Sequence, residues 1–408
     1  MKLAATGFVA APAGSVASAN GVLLRELLRL GHRIDFHTKP SFVDPRPVVS
    51  DLLQAVRLNL VDCTNQVGDR FRRKYSRGGL GLWGQFCGSI DSWTYHRGLV
   101  RSMRRCDDAE VDLWLGDWAR GRTLRPTVSF VQGPPGTDAR SIERHREEIV
   151  ELAGVAMFGK LAALARWRLS FGLPRFSNSD LIIVGSEWSR NHLTSEYGVD
   201  SDRVHILPYP IDLQMFRPMG KSRNPDERLR LLWLGRFVPR KRLRLFLDAL
   251  AIAIREGCDV EAWVVGQSGF VPNYEVLING FEFAERLKHW PSLPRADIPS
   301  LIADVDVLVQ PSDEENFGSA VAEALACGIP AIVGATNGTG DYLCDRSVRL
   351  TDDGPETLAK LIFDFAIKKS EGILADRKPS RIAAERYFEP RRIAEGLDNL
   401  LALAANPH

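Results

Sequence analysis

Residues 308–330 read LVQPSDEENFGSAVAEALACGIP, and the rest of the chain is interpreted outward from this stretch. Its apolar start predicts a short strand, and the polar residues that follow predict a loop. Phe317 and Gly318 open a helix of small residues. Gly328 followed by Pro330 is a stop signal for a helix, so we predict a strand–loop–helix unit here.

Two carboxylates flank the turn of this unit: Glu315 on the loop and Glu323 inside the helix. The helix N-terminus offers free backbone N–H groups to an anion, and Gly318 lets a ligand approach the backbone closely. A carboxylate accepts hydrogen bonds from two neighbouring hydroxyls. The unit therefore suits a phosphorylated, hydroxyl-rich ligand. Spacing alone leaves a second interpretation open, in which Glu315 caps the helix and Glu323 lies on a solvated face.

The pattern of the whole chain predicts an α/β fold with two doubly wound domains. It opens as a βαβ unit, with a strand over 3–11, a small-residue loop, a helix over 20–30 and a strand over 32–37. Further strands are predicted at 111–115, 127–132, 180–184, 205–208, 229–234, 260–265, 305–310 and 331–333. The longer helices are predicted at 141–171, 242–256 and 355–368. The polar segment 219–228 reads as a junction between domains.

We therefore predict a Rossmann-like N-terminal domain over 1–218 and a Rossmann-like C-terminal domain over 219–385, facing each other across a deep cleft that holds the ligand. Residues 386–408 are predicted to form a helix that packs back towards the N-terminal domain.

Composition excludes some partners and locations. The net charge of +2 over 408 residues is too small to argue for nucleic acid. Six cysteines without a CxxC pair or metal-ligand spacing predict reduced thiols in a cytoplasmic protein. No apolar run approaches the roughly 20 residues of a membrane span. Residues 1–20 imitate a secretory signal, but Gly7, Pro12 and Gly14 interrupt the apolar run, so we assign them to the fold.

Basic residues cluster at 70–77 and 101–105, with aromatic residues between them. A solvated surface explains both clusters. The alternative is that they contact an anionic acceptor or the inner face of a membrane, which would make the protein peripheral to that membrane through its N-terminal domain.

A second charged segment, GRFVPRK at 235–241, follows a predicted strand of the C-terminal domain. Arg236 and Lys241 are both expected to project from the carboxyl end of the sheet towards the cleft. An Arg fork and a Lys point charge suit a diphosphate that gains negative charge as it leaves. Asp304 and Asp306 imitate a metal-binding DxD, but they sit at a helix end and strand start and are not assigned to a metal.

GRFVPRK at 235–241, followed by PSDEENFGSAVAEALACGIPAIV at 311–333, resembles glycosyltransferase family 4, the glycosyl transferases group 1. The E-x7-E motif of that family matches at Glu315 and Glu323, and its Arg-x4-Lys pair matches at Arg236 and Lys241. The resemblance implies the GT-B fold and a retaining, nucleotide-sugar-dependent activity.

By position, the resemblance implies that Arg236 and Lys241 hold the diphosphate, Glu315 binds hydroxyls of the donor sugar, and Glu323 binds the ribose. Gln132 stands where many members carry a His that touches the donor sugar. The residue after the Lys is usually Gly and here is Arg242. The other donor-binding positions implied by the resemblance are Gly14, Ser15, Gly235, Gly266, Pro291, Asn316, Phe317 and Gly318.

The resemblance thus implies transfer of a sugar from a nucleotide-diphosphate-sugar to a hydroxyl of a glycan, lipid-linked or small-molecule acceptor. It implies no protein nucleophile, no metal and no other cofactor. Two alternatives stay open: a sugar-nucleotide epimerase on the same fold, which would need acid/base carboxylates and His residues in the cleft, and a non-catalytic nucleotide-sugar-binding partner subunit. The four intact motif residues argue against the second.

Overall fold

The computed structural model describes residues 1–9, 15–39, 44–63, 82–220, 223–352 and 354–406, and within them it forms two parallel β-sheets. The first sheet has the order β3-β2-β1-β4-β5-β6-β7. Its strands are β1 (Lys2–Gly7), β2 (Arg33–Thr38), β3 (Leu58–Asp62), β4 (Val111–Leu115), β5 (Thr127–Phe130), β6 (Leu181–Val184) and β7 (Val204–Ile206).

The second sheet has the order β10-β9-β8-β11-β12-β13. Its strands are β8 (Leu229–Leu234), β9 (Val260–Val265), β10 (Leu287–Trp290), β11 (Val307–Gln310), β12 (Ala331–Val333) and β13 (Val348–Arg349). Both sheets follow the doubly wound order 3-2-1-4-5-6, and strand order reverses between β1 and β4 and between β8 and β11. The predicted α/β class and the two Rossmann-like sheets are confirmed.

Helices cover the faces of both sheets. Their bounds are α1 (Ser15–Arg29), α2 (Arg46–Val49), α3 (Leu82–Arg104), α4 (Thr137–Arg144), α5 (Arg146–Gly172), α6 (Glu187–Tyr197), α7 (Leu243–Arg255), α8 (Glu275–Asn279), α9 (Ile298–Ala303), α10 (Ser319–Ala326), α11 (Pro355–Ser370), α12 (Lys378–Phe388) and α13 (Pro390–Ala405). In the described part of the chain, no helix combines the length and apolar character that crossing a membrane requires.

The elements near the cleft follow from their residue types. The strands β4, β5, β11 and β12 are buried throughout, as expected for parallel strands covered on both faces. Small side chains let α10 pack closely on the second sheet, and its residues from Val321 to Ala326 are all buried. Gly328 follows with φ 83°, the left-handed conformation that ends a helix.

The prediction of one continuous helix over 141–171 is wrong. The chain forms two helices, α4 and α5, which meet at His145 with φ −101° and ψ 34°. Gly154 then interrupts α5 with φ 84° and ψ 160°, because glycine accepts a conformation that other residues resist. The part of α5 before this break contacts the second domain, where the Tyr274 hydroxyl donates a hydrogen bond to Glu148 at 2.6 Å.

The last helix, α13, packs on the N-terminal sheet rather than on the domain that precedes it in the chain. Leu397 and Leu401 are fully buried in one apolar cluster with Leu23 and Leu27 of α1. The imidazole Nε2 of His32 lies 3.1 Å from a carboxylate oxygen of Asp398. The chain therefore passes between the domains twice, at the segment after β7 and again before α13.

Candidate active site

The carboxyl ends of the two sheets face each other around the loop between β11 and α10. The Asn316 side chain accepts a hydrogen bond from the Gly185 amide, which follows β6, at 3.1 Å. It also donates to the Val131 carbonyl, which follows β5, at 3.4 Å. A Cβ on Gly133 would lie only 2.9 Å from the Asn316 Cβ. The Glu315 loop is thus the point where the N-terminal sheet meets the switch point of the second sheet.

This loop presents free donors at the start of α10. Gly318 precedes the helix with φ 78°, and a Cβ there would meet Asn337 Oδ1 at 2.6 Å, so the position requires glycine. Within the described chain, the backbone amides of Asn316, Phe317 and Gly318 donate to no other group. Three unpaired amides at a helix N-terminus can bind an anion or the oxygens of a hydroxylated ligand.

Glu315 does not cap the helix, because its carboxylate turns towards the loop after β8. Its Oε2 accepts hydrogen bonds from Lys241 Nζ at 2.5 Å and from Arg240 Nη1 at 2.7 Å. The three side chains are between 13 and 16% exposed. Burial alone would raise the pKa of Glu315, but the charges of Lys241 and Arg240 outweigh it and lower that pKa from 4.5 to about 2.

Lys241 is a buried cation with further positive charges near it. A simple ion pair raises the pKa of its lysine, yet burial lowers the pKa of Lys241 in spite of Glu315, and the neighbouring Arg240 and Arg236 lower it further. Arg236 is exposed and bonds no residue of the described chain. Arg236, Arg240 and Lys241 thus have two acidic partners at this loop, the buried Glu315 and the exposed Asp138, which leaves positive charge in excess by one.

Lys241 lies in a short turn that precedes α7. Lys241 ends a 3-10 turn, Pro239–Lys241, and α7 begins two residues later at Leu243. Arg242, between them, takes a left-handed φ of 53°. The chain bears this strain where the family usually carries glycine, and the turn aims Lys241 at Glu315.

Glu323 does not lie on a solvated face, since only 3% of the residue is exposed. Its Oε1 accepts a hydrogen bond from Arg295 Nη2 at 2.8 Å. Burial raises the pKa of Glu323, and Arg295 offsets this only in part. The Arg295 guanidinium in turn stacks 5.1 Å from the ring centre of Phe216, in the segment that joins the domains.

Two carboxylates before Glu315 hold the loop to the N-terminal domain, and the sequence analysis did not single them out. Glu314 is bonded by Arg140 and Arg144 of α4 at 2.8 and 2.7 Å. Asp313 is bonded by Arg144 at 2.8 Å and lies 3.2 Å from His145 Nε2. Glu314 takes a φ of 50°, which is rare without glycine. The available signals were the acidic run 313–315 and the i, i+4 spacing of the two arginines, which puts them on one helix face.

Of the other predicted donor-binding positions, some lie at the ligand-facing ends of the strands and one supports the loop from behind. Gly235 and Gly266 lie at the ends of β8 and β9, where a Cβ on Gly266 would lie 1.9 Å from the Gly235 carbonyl oxygen. Pro291 is exposed just beyond β10. Phe317 is buried against the rings of Tyr209 and Phe388, so its side chain supports the loop and does not face a ligand.

In the N-terminal domain, Gln132 is exposed two residues after the end of β5 and one residue before the Gly133 contact with the loop. Ser15 is the first residue of α1. Gly14 and the basic cluster at 70–77 lie outside the described residues.

Among the residues that the structure describes, one set of side chains has a metal-like arrangement, namely Asp35, Cys106 and Asp108. Lys2 Nζ already lies 2.9 Å from Asp35 and 2.6 Å from Asp108. The ammonium group therefore satisfies this cluster, which lies near the amino end of β1, away from the Glu315 loop. Asp306 of the DxD segment is buried between Arg223 and Lys369, at 2.7 and 3.0 Å.

Comparison with known proteins agrees with this geometry. Residues 217–372 match the family model of glycosyl transferases group 1, so the predicted resemblance is confirmed for the C-terminal domain. A D-inositol 3-phosphate glycosyltransferase from Segniliparus rotundus is 29% identical over 181 residues, which cover 42% of this chain and 40% of that protein. The match thus spans less than half the length of this relative.

Solved structures resemble the chain over nearly its whole length. Sucrose-phosphate synthase from Thermosynechococcus elongatus superposes with a TM-score of 0.70 at 17% identity, covering 98% of each chain. HepE from Anabaena, solved with UDP and glucose, has a TM-score of 0.63 at 16% identity, covering 98% of this chain and 99% of its own. These similarities establish the GT-B fold.

Proposed function

We propose that this chain, whose residues 217–372 form a glycosyl transferases group 1 domain, is a retaining glycosyltransferase. It moves a sugar from a nucleotide-diphosphate-sugar to a hydroxyl of a glycan, lipid-linked or small-molecule acceptor. The observation that carries the proposal is the excess of positive charge at this loop, where Arg236, Arg240 and Lys241 have only the buried Glu315 and the exposed Asp138 as acidic partners. A diphosphate supplies the missing negative charge.

Each group of the site has a task in this reaction. Arg236 and Lys241 bind the diphosphate and stabilise the charge that develops on it as the sugar–phosphate bond breaks. The free amides of residues 316–318 and the Glu315 carboxylate orient the donor sugar. Glu323 accepts hydrogen bonds from the ribose hydroxyls. The cations of the chain neutralise the leaving group, so the proposal requires no metal ion and no protein nucleophile.

The donor and acceptor are assigned only as classes. UDP and glucose are bound by HepE, and D-inositol 3-phosphate is named for the Segniliparus relative. The match to that relative covers 42% of this chain, so its acceptor is not carried over. An acceptor hydroxyl is expected on the N-terminal side of the site, and Gln132 remains a candidate contact of the donor sugar.

A ligand panel tests the proposal directly. Thermal shift and calorimetry are run with UDP, GDP, ADP and dTDP and with their common nucleotide sugars. At a ligand concentration of 100 times Kd, one diphosphate is expected to stabilise the protein by about 2.7 kcal/mol. The variants Arg236→Met and Lys241→Met are expected to lose most of this gain, and Arg166→Met on α5 is the matched control. If no nucleotide stabilises the wild type, the proposal fails.

Product analysis then separates the alternatives. Retention predicts that the anomeric configuration of the donor sugar persists in the product, which NMR detects. Formation of an epimerised nucleotide sugar in the absence of acceptor would support the epimerase instead. Nucleotide binding without transfer or donor hydrolysis would support a non-catalytic subunit.

A further inference from the structure

Arg240 is the residue of this loop to which neither the sequence motif nor the comparisons assign a role. Its Nη1 donates to Glu315 Oε2 at 2.7 Å, and its Nε lies 3.4 Å from a carboxylate oxygen of Asp138 on α4. Its own carbonyl accepts a hydrogen bond from the Asp313 amide at 2.9 Å. Arg240 thus contacts the donor loop through backbone and side chain and reaches the N-terminal domain.

Both cations bind the same oxygen of Glu315. Lys241 and Arg240 donate to Oε2, whereas Oε1 accepts from no residue of the described chain. The carboxylate is thereby fixed by one oxygen and keeps the other for an incoming hydroxyl group. This division needs two donors on one side, and a single flexible lysine would not orient the carboxylate plane as firmly.

The two cations differ in what a diphosphate does to them. Lys241 is the motif cation expected to bind the diphosphate, so donor binding draws it away from Glu315. If Lys241 were the only partner, a buried carboxylate would lose its counter-ion when the donor sugar arrives. Arg240 has a guanidinium with several N–H donors, and its Nε lies 3.4 Å from the exposed Asp138 without a hydrogen bond, so the group keeps donors beyond the one that binds Glu315.

We propose that Arg240 is a positioning residue that retains the Glu315 carboxylate, with Oε1 facing the donor sugar, when Lys241 turns to the diphosphate. This inference rests on the proposed function. The two cations then have different roles: Lys241 binds the diphosphate leaving group, and Arg240 holds the Glu315 carboxylate beside the donor sugar. The charged groups that face Glu315 are Lys241, Arg240 and, one step further, Arg236 and Asp138.

The test compares binding of the diphosphate with turnover of the nucleotide sugar. The probes are UDP with UDP-glucose, or GDP with GDP-mannose, whichever pair stabilises the wild type. Arg240→Met is expected to change the Kd for the diphosphate by less than about threefold and to lower kcat for donor hydrolysis by about tenfold or more. Lys241→Met is expected to weaken diphosphate binding as well.

A pH profile distinguishes positioning from a merely structural role. Without Arg240 the Glu315 carboxylate protonates more easily, so the acid limb of kcat is expected to move to higher pH. Relative to Arg240→Met, the variant Arg240→Lys is expected to recover part of kcat and to move the acid limb of the pH profile part of the way back to its wild-type position. Arg244→Met is the matched control, because Arg244 also pairs with a glutamate across the domains, Glu151 at 2.8 Å, away from the site.

The outcomes are distinguishable. An unchanged rate and acid limb in Arg240→Met would overturn the inference and leave the proposed function intact. Equal weakening of diphosphate binding and turnover would make Arg240 a phosphate ligand and also overturn it. A wild type that binds no nucleotide overturns the proposed function and the inference together. If Arg240→Met does not fold, Arg240→Gln and Arg240→Lys give the same comparison.

Discussion

Replacing Glu315 by Gln removes the one buried anion among three cations, and its effect on stability can be worked out. The pKa of Glu315 falls from 4.5 to about 2 on folding because Lys241 and Arg240 more than offset the cost of burial. A carboxylate with this change contributes about 3 kcal/mol to the free energy of unfolding at pH 7. Glu315→Gln is therefore expected to lose about 3 kcal/mol, the range expected when a buried ion pair loses one partner.

The sign of the pH dependence follows from the same change. A carboxylate whose pKa is lowered in the folded state stabilises the protein fully above its unfolded pKa of 4.5, and it loses this effect as pH falls towards 2. At pH 3 the contribution is about 1.4 kcal/mol. The difference between wild type and Glu315→Gln is thus expected to shrink by more than half between pH 7 and pH 3.

Urea unfolding of both proteins at the two pH values measures this difference. Glu385→Gln is the control, because Glu385 is half exposed and pairs with Arg381 at the surface, where a pair contributes less than about 1 kcal/mol. A loss below about 1 kcal/mol at pH 7, or a loss of equal size at pH 3, would refute the charge argument for this loop.

Glu323→Ala is expected to weaken diphosphate binding about tenfold, because ribose hydroxyls lose a charged acceptor. Lys241→Ala is expected to weaken diphosphate binding and also to lower turnover of the bound donor, because the leaving group loses a cation. Calorimetry measures binding and initial rates measure turnover, and normal turnover in Lys241→Ala contradicts the leaving-group assignment. Diphosphate binding is expected to take up a proton at alkaline pH, because the lowered pKa of Lys241 rises beside the new anion, and affinity should fall as pH rises through that pKa. Calorimetry in buffers of different ionisation enthalpy detects the uptake, and equal heats argue against it. Arg144→Met is expected to lower the free energy of unfolding by about 1–2 kcal/mol, because two buried carboxylates lose a hydrogen-bond donor. Each kcal/mol lowers Tm by about 2–4 °C. The control Arg166→Met is expected to change Tm little, because Arg166 is exposed. Equal Tm values for these two variants would show that Arg144 does not hold the loop.

Local patterns predicted the second domain well. The stretch 308–330 predicted its strand, loop and helix correctly. The signals it carries, namely the apolar run, the small residues and the helix stop at Gly328, depend only on residues that are close in sequence. The ends of β8, β9 and β12 were likewise visible as apolar runs. The burial of Glu323, however, depends on Arg295 and could not be read from spacing.

What the sequence analysis missed depends on contacts between distant segments. Arg140 and Glu314 are 174 positions apart, so their bond exists only once the domains have docked. Arg240 was visible as a charge, but nothing local indicated that it would share an oxygen with Lys241. The edge strand β3, LNLVD, was also missed, because a partly exposed edge strand lacks the continuous apolar run of a central one.

The position of α13 on the N-terminal sheet has a consequence for how the chain folds on the ribosome. Domains usually fold in order as they emerge, the first before the second is complete. Here Leu397 and Leu401 cover the side of α1, so the first domain lacks part of its apolar cover until residues beyond 390 have been synthesised. We therefore expect an apolar face of α1 to stay exposed on the nascent chain until the whole second domain has been synthesised.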